Sequence, residues 1–126
     1  AYFSVQMPRS WNKGPLTARF VWSHAATSTS FGVRWEVYAI ATGDGENLAG
    51  ISWSAVPRVT DSGGNTDHLY ISPESPALAP EGTAGDEDLM SFYVGRQATD
   101  AADTMAIDAR LHGVFIYYTT NAARDN

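Results

Sequence analysis

The chain has 126 residues, no cysteine and a formal net charge of −6, which fits one domain and excludes disulfide frameworks, thiolate metal sites and cysteine nucleophiles. Lys13 is the only lysine among eight basic residues, so the clustered cations that displace phosphate counterions are missing and no nucleic-acid partner is expected. With 44% hydrophobic and 17% charged residues the composition is that of a core-forming domain, and no apolar run nears the ~18–20 residues of a membrane-spanning helix.

Taken in chain order, Tyr2 to Met7 reads as a weak strand that begins abruptly. Because residue 1 is Ala and no signal-peptide pattern precedes the strand, residues 1–126 are expected to form a single β-sandwich domain, the C-terminal part of a longer chain. After the turn residues Asn12-Lys13-Gly14-Pro15, the run Leu16 to His24 alternates Leu16, Ala18, Phe20 and Trp22 with Thr17, Arg19, Val21 and Ser23. That is the period of a strand with one buried face. A small polar loop leads to a second such run, Gly32 to Thr42, with Val33, Trp35, Val37 and Ala39 in one phase. Weaker strands are expected at Ala55 to Thr60, where Pro57 implies an edge or a strand start, at His68 to Ser72, and briefly at Ala77 to Ala79. Leu89 to Arg96 and Ile107 to Thr120 complete the strong set. The latter puts Leu111, Phe115 and Tyr117 on one face and Val114, Ile116 and Tyr118 on the other, with a bulge or bend at Gly113. One helical turn is allowed within Ala98 to Arg110 and another at Glu46 to Ala49. Seven or eight short strands separated by Gly-, Pro-, Asp- and Asn-rich turns give an all-β fold, an antiparallel β-sandwich of jelly-roll type.

Motifs for chemistry are sparse. The acidic groups Asp86-Glu87-Asp88 and Asp100, Asp103, Asp108 lack the ligand spacing of a calcium loop. Asp100 or Asp103 reads as a turn cap and Asp108 as the partner of a strand arginine, with Arg96–Asp108 the favoured pair. His24, His68 and His112 have no i, i+2 or i, i+4 spacing for zinc, no Gly-x-Ser-x-Gly elbow occurs, and Ser62, Asp67 and His68 form at best a dispersed triad. The reading is therefore of a non-enzymatic chain with no catalytic, metal or cofactor-binding residues and no cofactor. The aromatics carry more. Trp22 and Trp35 share phase with core residues, whereas Trp11 and Trp53 adjoin turns. Together with Tyr70 they are candidate ligand or interface contacts, because exposed rings stack on sugars and are enriched at protein interfaces. Arg19, Arg34, Arg96 and Arg110 lie in strands, where they can pair with carboxylates across a sheet.

Three stretches carry a resemblance: Phe3 with Met7-Pro8, the block FVWSHAATSTSFGVRWEV from Phe20 to Val37, and the block YVGRQATDAADTMAIDARLHGV from Tyr93 to Val114. Together they resemble a domain of uncharacterised virion proteins of tailed bacteriophages, over most of the chain and least between Gly43 and Glu81. The resemblance implies a virion location and a structural part such as a capsid decoration, head fibre or tail-fibre domain. Such a part works through contacts with other virion proteins, as a homo-oligomer and by expectation a trimer, and the resemblance supplies no site residues. The alternative is a carbohydrate- or receptor-binding module that uses Trp11, Trp53 and Tyr70 on a cell-surface glycan.

Overall fold

A computed structural model of the chain describes residues 1–27, 30–47, 56–82, 85 and 88–120. Among these, seven strands form: β1 (Tyr2–Gln6), β2 (Thr17–His24), β3 (Gly32–Thr42), β4 (Arg58–Ser62), β5 (Tyr70–Ile71), β6 (Leu89–Arg96) and β7 (Ala109–Tyr117). They make two antiparallel sheets, a four-stranded one ordered β1-β6-β3-β4 and a three-stranded one ordered β5-β2-β7. The chain is all-β, a β-sandwich. The β3–β6 pairing nests inside β2–β7, and among the described strands only β3 to β4 are consecutive within one sheet.

The core follows from the alternation. Leu16, Ala18, Phe20 and Trp22 are all buried and face Val33, Trp35, Val37, Ala39 and Ala41 of β3 and Met90, Phe92 and Val94 of β6. Phe20 stacks on Trp35 with ring centroids 5.4 Å apart, and Phe3 on Phe92 at 4.9 Å. Each large side chain so buried is worth about 1.5–3 kcal/mol, which is why the period-2 signal prevails here over local preference. His24 closes one end of this core, fully buried against the rings of Trp22, Phe31 and Tyr70.

The departures from the expected strands have local causes. The β4 strand starts immediately after Pro57, which has no N–H for the ladder but accepts a bond from the Val37 N–H at 3.3 Å, and it runs on through Asp61 and Ser62. The weak strand at Ala77 to Ala79 is a single bridge, Leu16 to Leu78, made by two hydrogen bonds of 2.8 and 2.7 Å. Neither expected helical turn forms a helix among the described residues. Within 98–110 two successive turns form instead, closed by Asp100 N–H to Gln97 O and Asp103 N–H to Asp100 O. At Gly43 the Glu46 carboxylate accepts the Gly43 N–H at 2.9 Å and closes the turn, while Leu48 and Ala49 lie outside the described residues.

The β7 strand needs a correction. Val21 lies opposite Gly113 but Trp22 lies opposite Leu111, so His112 is an extra residue, and the alternation changes phase there. Ala109 and Leu111 pack on the core before the bulge, and Val114 and Ile116 after it. Leu111 is therefore separated from Phe115 and Tyr117, which turn outward.

Candidate functional site

The sandwich has two outer faces, and the large exposed or half-buried side chains divide between them. On the four-stranded sheet, Tyr2 sits opposite Tyr93 and Tyr93 opposite Tyr38. Both pairs of ring centroids are 5.0 Å apart. Strands are spaced about 4.8 Å apart, so rings at this spacing are in direct contact, Tyr93 stacked on Tyr38 and tilted by 56° against Tyr2, which is 79% exposed. The Tyr93 hydroxyl leans along its own strand over Gly95, where a Cβ would lie 2.6 Å from it. Beside this row Glu36 is buried on the same sheet; it accepts bonds from Gln97 Nε2 and, at 3.3 Å, from Arg58 Nε. Burial, then the negative charge of Glu36 and the neighbouring Tyr93, push the Tyr38 phenol above its ordinary pKa. Arg34 completes the network by donating to Thr60 at 2.9 Å and pairing with Asp100 at 3.2 Å.

The loop after β6 is tied to this sheet by Arg96. Its guanidinium makes a bidentate pair with Asp103, at 2.8 and 2.6 Å, and donates to the carbonyls of Met105 and Ile107 at 2.6 Å each. Asp103 also accepts the Arg34 N–H at 3.0 Å. Burial raises the Asp103 pKa, but the hydrogen bonds from Arg96 and Arg34 and the Arg96 charge outweigh it and hold the carboxyl below the usual range. Donating to the Asp103 carboxylate in turn raises Arg96, against the opposing effect of burial. The expected Arg96–Asp108 pair is thus replaced by Arg96–Asp103. Asp103 ends its turn buried and aimed back at β6, whereas Asp108 is exposed, lies past the carbonyl that takes the remaining guanidinium arm, and acts on Arg96 through charge alone. Asp100 is the turn cap, accepting the Ala102 N–H at 2.9 Å.

On the three-stranded sheet the phase of β2 turned away from the core is Thr17, Arg19, Val21 and Ser23, of which Val21 and Ser23 are nevertheless buried, flanked by Ile71 of β5 and by Phe115 and Tyr117 of β7. Ile71, Phe115 and Tyr117 are 49%, 47% and 43% exposed, and Leu69 beside β5 is also exposed. Charged pairs stand at both ends. Arg19 pairs with Glu74 at 3.9 Å, and Glu74 also accepts from Thr17; Arg110 pairs with Asp67 at 2.6 Å. The bulged His112 is fixed by a 2.8 Å hydrogen bond between its Nε2 and Ser23 Oγ.

The expected aromatic platform does not assemble from the described residues. Trp11 is 4% exposed and donates its indole N–H to the Gly14 carbonyl at 3.2 Å, so its faces are spent in the core. Tyr70 is half-buried, its ring against Trp22 and His24. Trp11 bridges Thr120 beyond one end of β7 and Tyr70 adjoins Trp22 at the other, roughly 30 Å apart at strand rise. Trp53 lies outside the described residues. The histidines stand apart: His24 in the core, His68 exposed with Nδ1 3.0 Å from the Thr66 carbonyl, and His112 on Ser23. Among the described residues no group of three His, Asp or Glu side chains is placed to hold a metal. Asp67, of the dispersed triad, is engaged by Arg110 rather than by His68. A shallow opening of about 260 Å³ between Phe3, Val94, Leu111 and Val114 is lined by no carboxylate.

The outward apolar set of Ile71, Phe115 and Tyr117 is what sequence reasoning missed as a site. Its signal was present, since Phe115 and Tyr117 share a phase, but the bulge that sends that phase outward needed the register with β2. Comparison of the chain with protein-family models, with curated proteins and with solved structures finds no match in any of the three.

Proposed function

We propose that the chain is a non-enzymatic structural domain of a tailed-phage virion, a capsid decoration, head-fibre or tail-fibre part that acts through protein–protein contacts. The observation that carries the contact-making part of this reading is the outer face of β5-β2-β7: ordered apolar side chains on rigid strands, rimmed by ion pairs. Exposed apolar patches with polar rims mark interaction sites on soluble domains, and aromatic residues with arginine are the enriched pair at such contacts. The virion part of the reading rests on the resemblance of the blocks Phe20 to Val37 and Tyr93 to Val114. The acidic, lysine-poor composition suits a particle surface.

The experiment is a gold-labelled antibody against this domain, imaged on purified particles of the phage that encodes it. Label on the capsid is the expected result for a decoration or head-fibre part, and label on the tail for a fibre domain. Unlabelled particles, with the antibody active on the isolated protein, would refute the virion role.

A further inference from the structure

We infer that the outer face of the three-stranded sheet β5-β2-β7 is occupied by the same face of a second copy of this chain, in a twofold, face-to-face pairing. The inference deepens the proposed structural role by naming the partner. It starts from charge. The chain as a whole carries −6, so two copies repel unless the surfaces that meet are locally balanced. On this face they are: Arg19 and Arg110 are matched by Glu74 and Asp67.

The two ion pairs stand at opposite ends of the face, since Arg19 lies opposite Phe115 and Ser23 opposite Arg110. All four side chains are exposed enough to exchange partners. In an isologous contact every residue i that meets j is repeated as j meeting i. A surface with one cation and one anion at each end can therefore place the arginines of each copy against the carboxylates of the other. Ile71, opposite Val21, lies between the two ion pairs, while Phe115 is level with Arg19 and Tyr117 with Thr17 at one end, and in the pairing these side chains meet the partner copy's face. A partner selected for the whole acidic chain would instead be basic, and this face, with two cations matched to two anions, carries no excess negative charge to attract it.

Edge-to-edge pairing through β7 is disfavoured by the same strand. The bulge at His112 kinks its middle, and bulges are a known means of spoiling an edge as a template. The face itself measures roughly 14 by 26 Å from strand spacing and rise. Twofold burial of such an area falls below the ~1,200 Å² of a stable complex, so the pairing is weak in isolation and is strengthened where copies are held side by side.

The test uses the full chain in sedimentation velocity across a concentration series reaching ~1 mM, the range that a weak contact requires. The expected result is a reversible rise toward twice the 13.6 kDa mass, weakened at least ~tenfold in Phe115→Ser and in Ile71→Ser. A second pair of variants isolates the charge argument. Arg19→Glu with Arg110→Glu makes the face wholly acidic, and Glu74→Arg with Asp67→Arg makes it wholly basic. Each should stay monomeric alone, and the two mixed in equal amounts should pair. A monomeric wild-type chain at the highest concentration overturns the inference, as does a trimer, or an acidic-face variant that still self-associates. Particle labelling without self-association would leave the virion role standing and remove the twofold, and the converse result would do the opposite.

Discussion

On the outer face of β1-β6-β3-β4 the rings of Tyr2, Tyr93 and Tyr38 touch in a row, although Tyr2 and Leu89 at its margin stay 79% and 49% exposed, whereas on the outer face of β5-β2-β7 the exposed Ile71, Phe115 and Tyr117 form no such row. Tyr2, Tyr93 and Tyr38 pack ring against ring, Glu36 is closed by Arg58 and Gln97, and Arg34 by Thr60 and Asp100. Ile71, Phe115 and Tyr117 have no such internal partners described and keep nearly half of their surface exposed. The two faces draw on similar residue types, so composition does not separate them. Register does: three tyrosines fall in one row across three strands of the first sheet, while on the second Phe115 meets Arg19 and Tyr117 meets Thr17. The first face is tied together at its middle by ring contacts and ion pairs, with Tyr2 and Leu89 exposed at its margin. The second keeps its apolar side chains apart, each with nearly half of its surface exposed.

That contrast can be broken most severely at the anchor under the first face. Asp103→Ala leaves Arg96 without its bidentate partner in a nearly buried position, which costs about 3–5 kcal/mol for a buried pair and should be read by urea unfolding. The pH dependence has a definite sign. The folded carboxyl lies below its ordinary value, so its contribution is present above the unfolded carboxylate value near ~4 and is lost as pH falls through the lower folded value. The wild-type chain should lose stability through that acid window, and Asp103→Asn should lack this part of the slope.

A smaller loss is expected from the tyrosine row. Tyr93→Ala removes two ring contacts, each worth about 0.5–1.5 kcal/mol beyond area burial, and thermal unfolding should show a drop of about 1–3 kcal/mol. Glu36→Gln sharpens the same comparison spectroscopically. Its negative charge is one of the causes that raise Tyr38, so ultraviolet titration should find the phenol shifted back toward its ordinary value, with the burial contribution remaining. The smallest effect belongs to the second face. Ile71→Ser should change the unfolding free energy of the monomer by no more than about 0.5 kcal/mol, as for surface sites without a structural partner. A loss above ~1 kcal/mol would show that this side chain supports the fold rather than a contact.

Much of this was legible from the chain alone. The buried phases of β2 and β3, the limits of β3 and β6, and the bend at Gly113 follow from period-2 alternation and turn residues, because one face of a strand must leave water wherever a core exists. The sandwich follows from their number and spacing. What alternation does not carry is pairing. Asp103 and Asp108 are the same residue type and both follow Arg96 within the same segment, and only the path of two tight turns aims the first at the guanidinium and leaves the second in water. Trp11 adjoins turn residues, as exposed rings do, yet the bridge to Thr120 folds it into the core. The single inserted residue His112 puts Leu111 on the core and Phe115 on the outer face, although their spacing alone would place them together. The sequence determines which residues alternate and where the chain must turn, since these are local consequences of backbone geometry and hydrophobicity. Register, bulge position and the choice among equivalent carboxylates belong to the tertiary structure, because each depends on a strand from elsewhere in the chain.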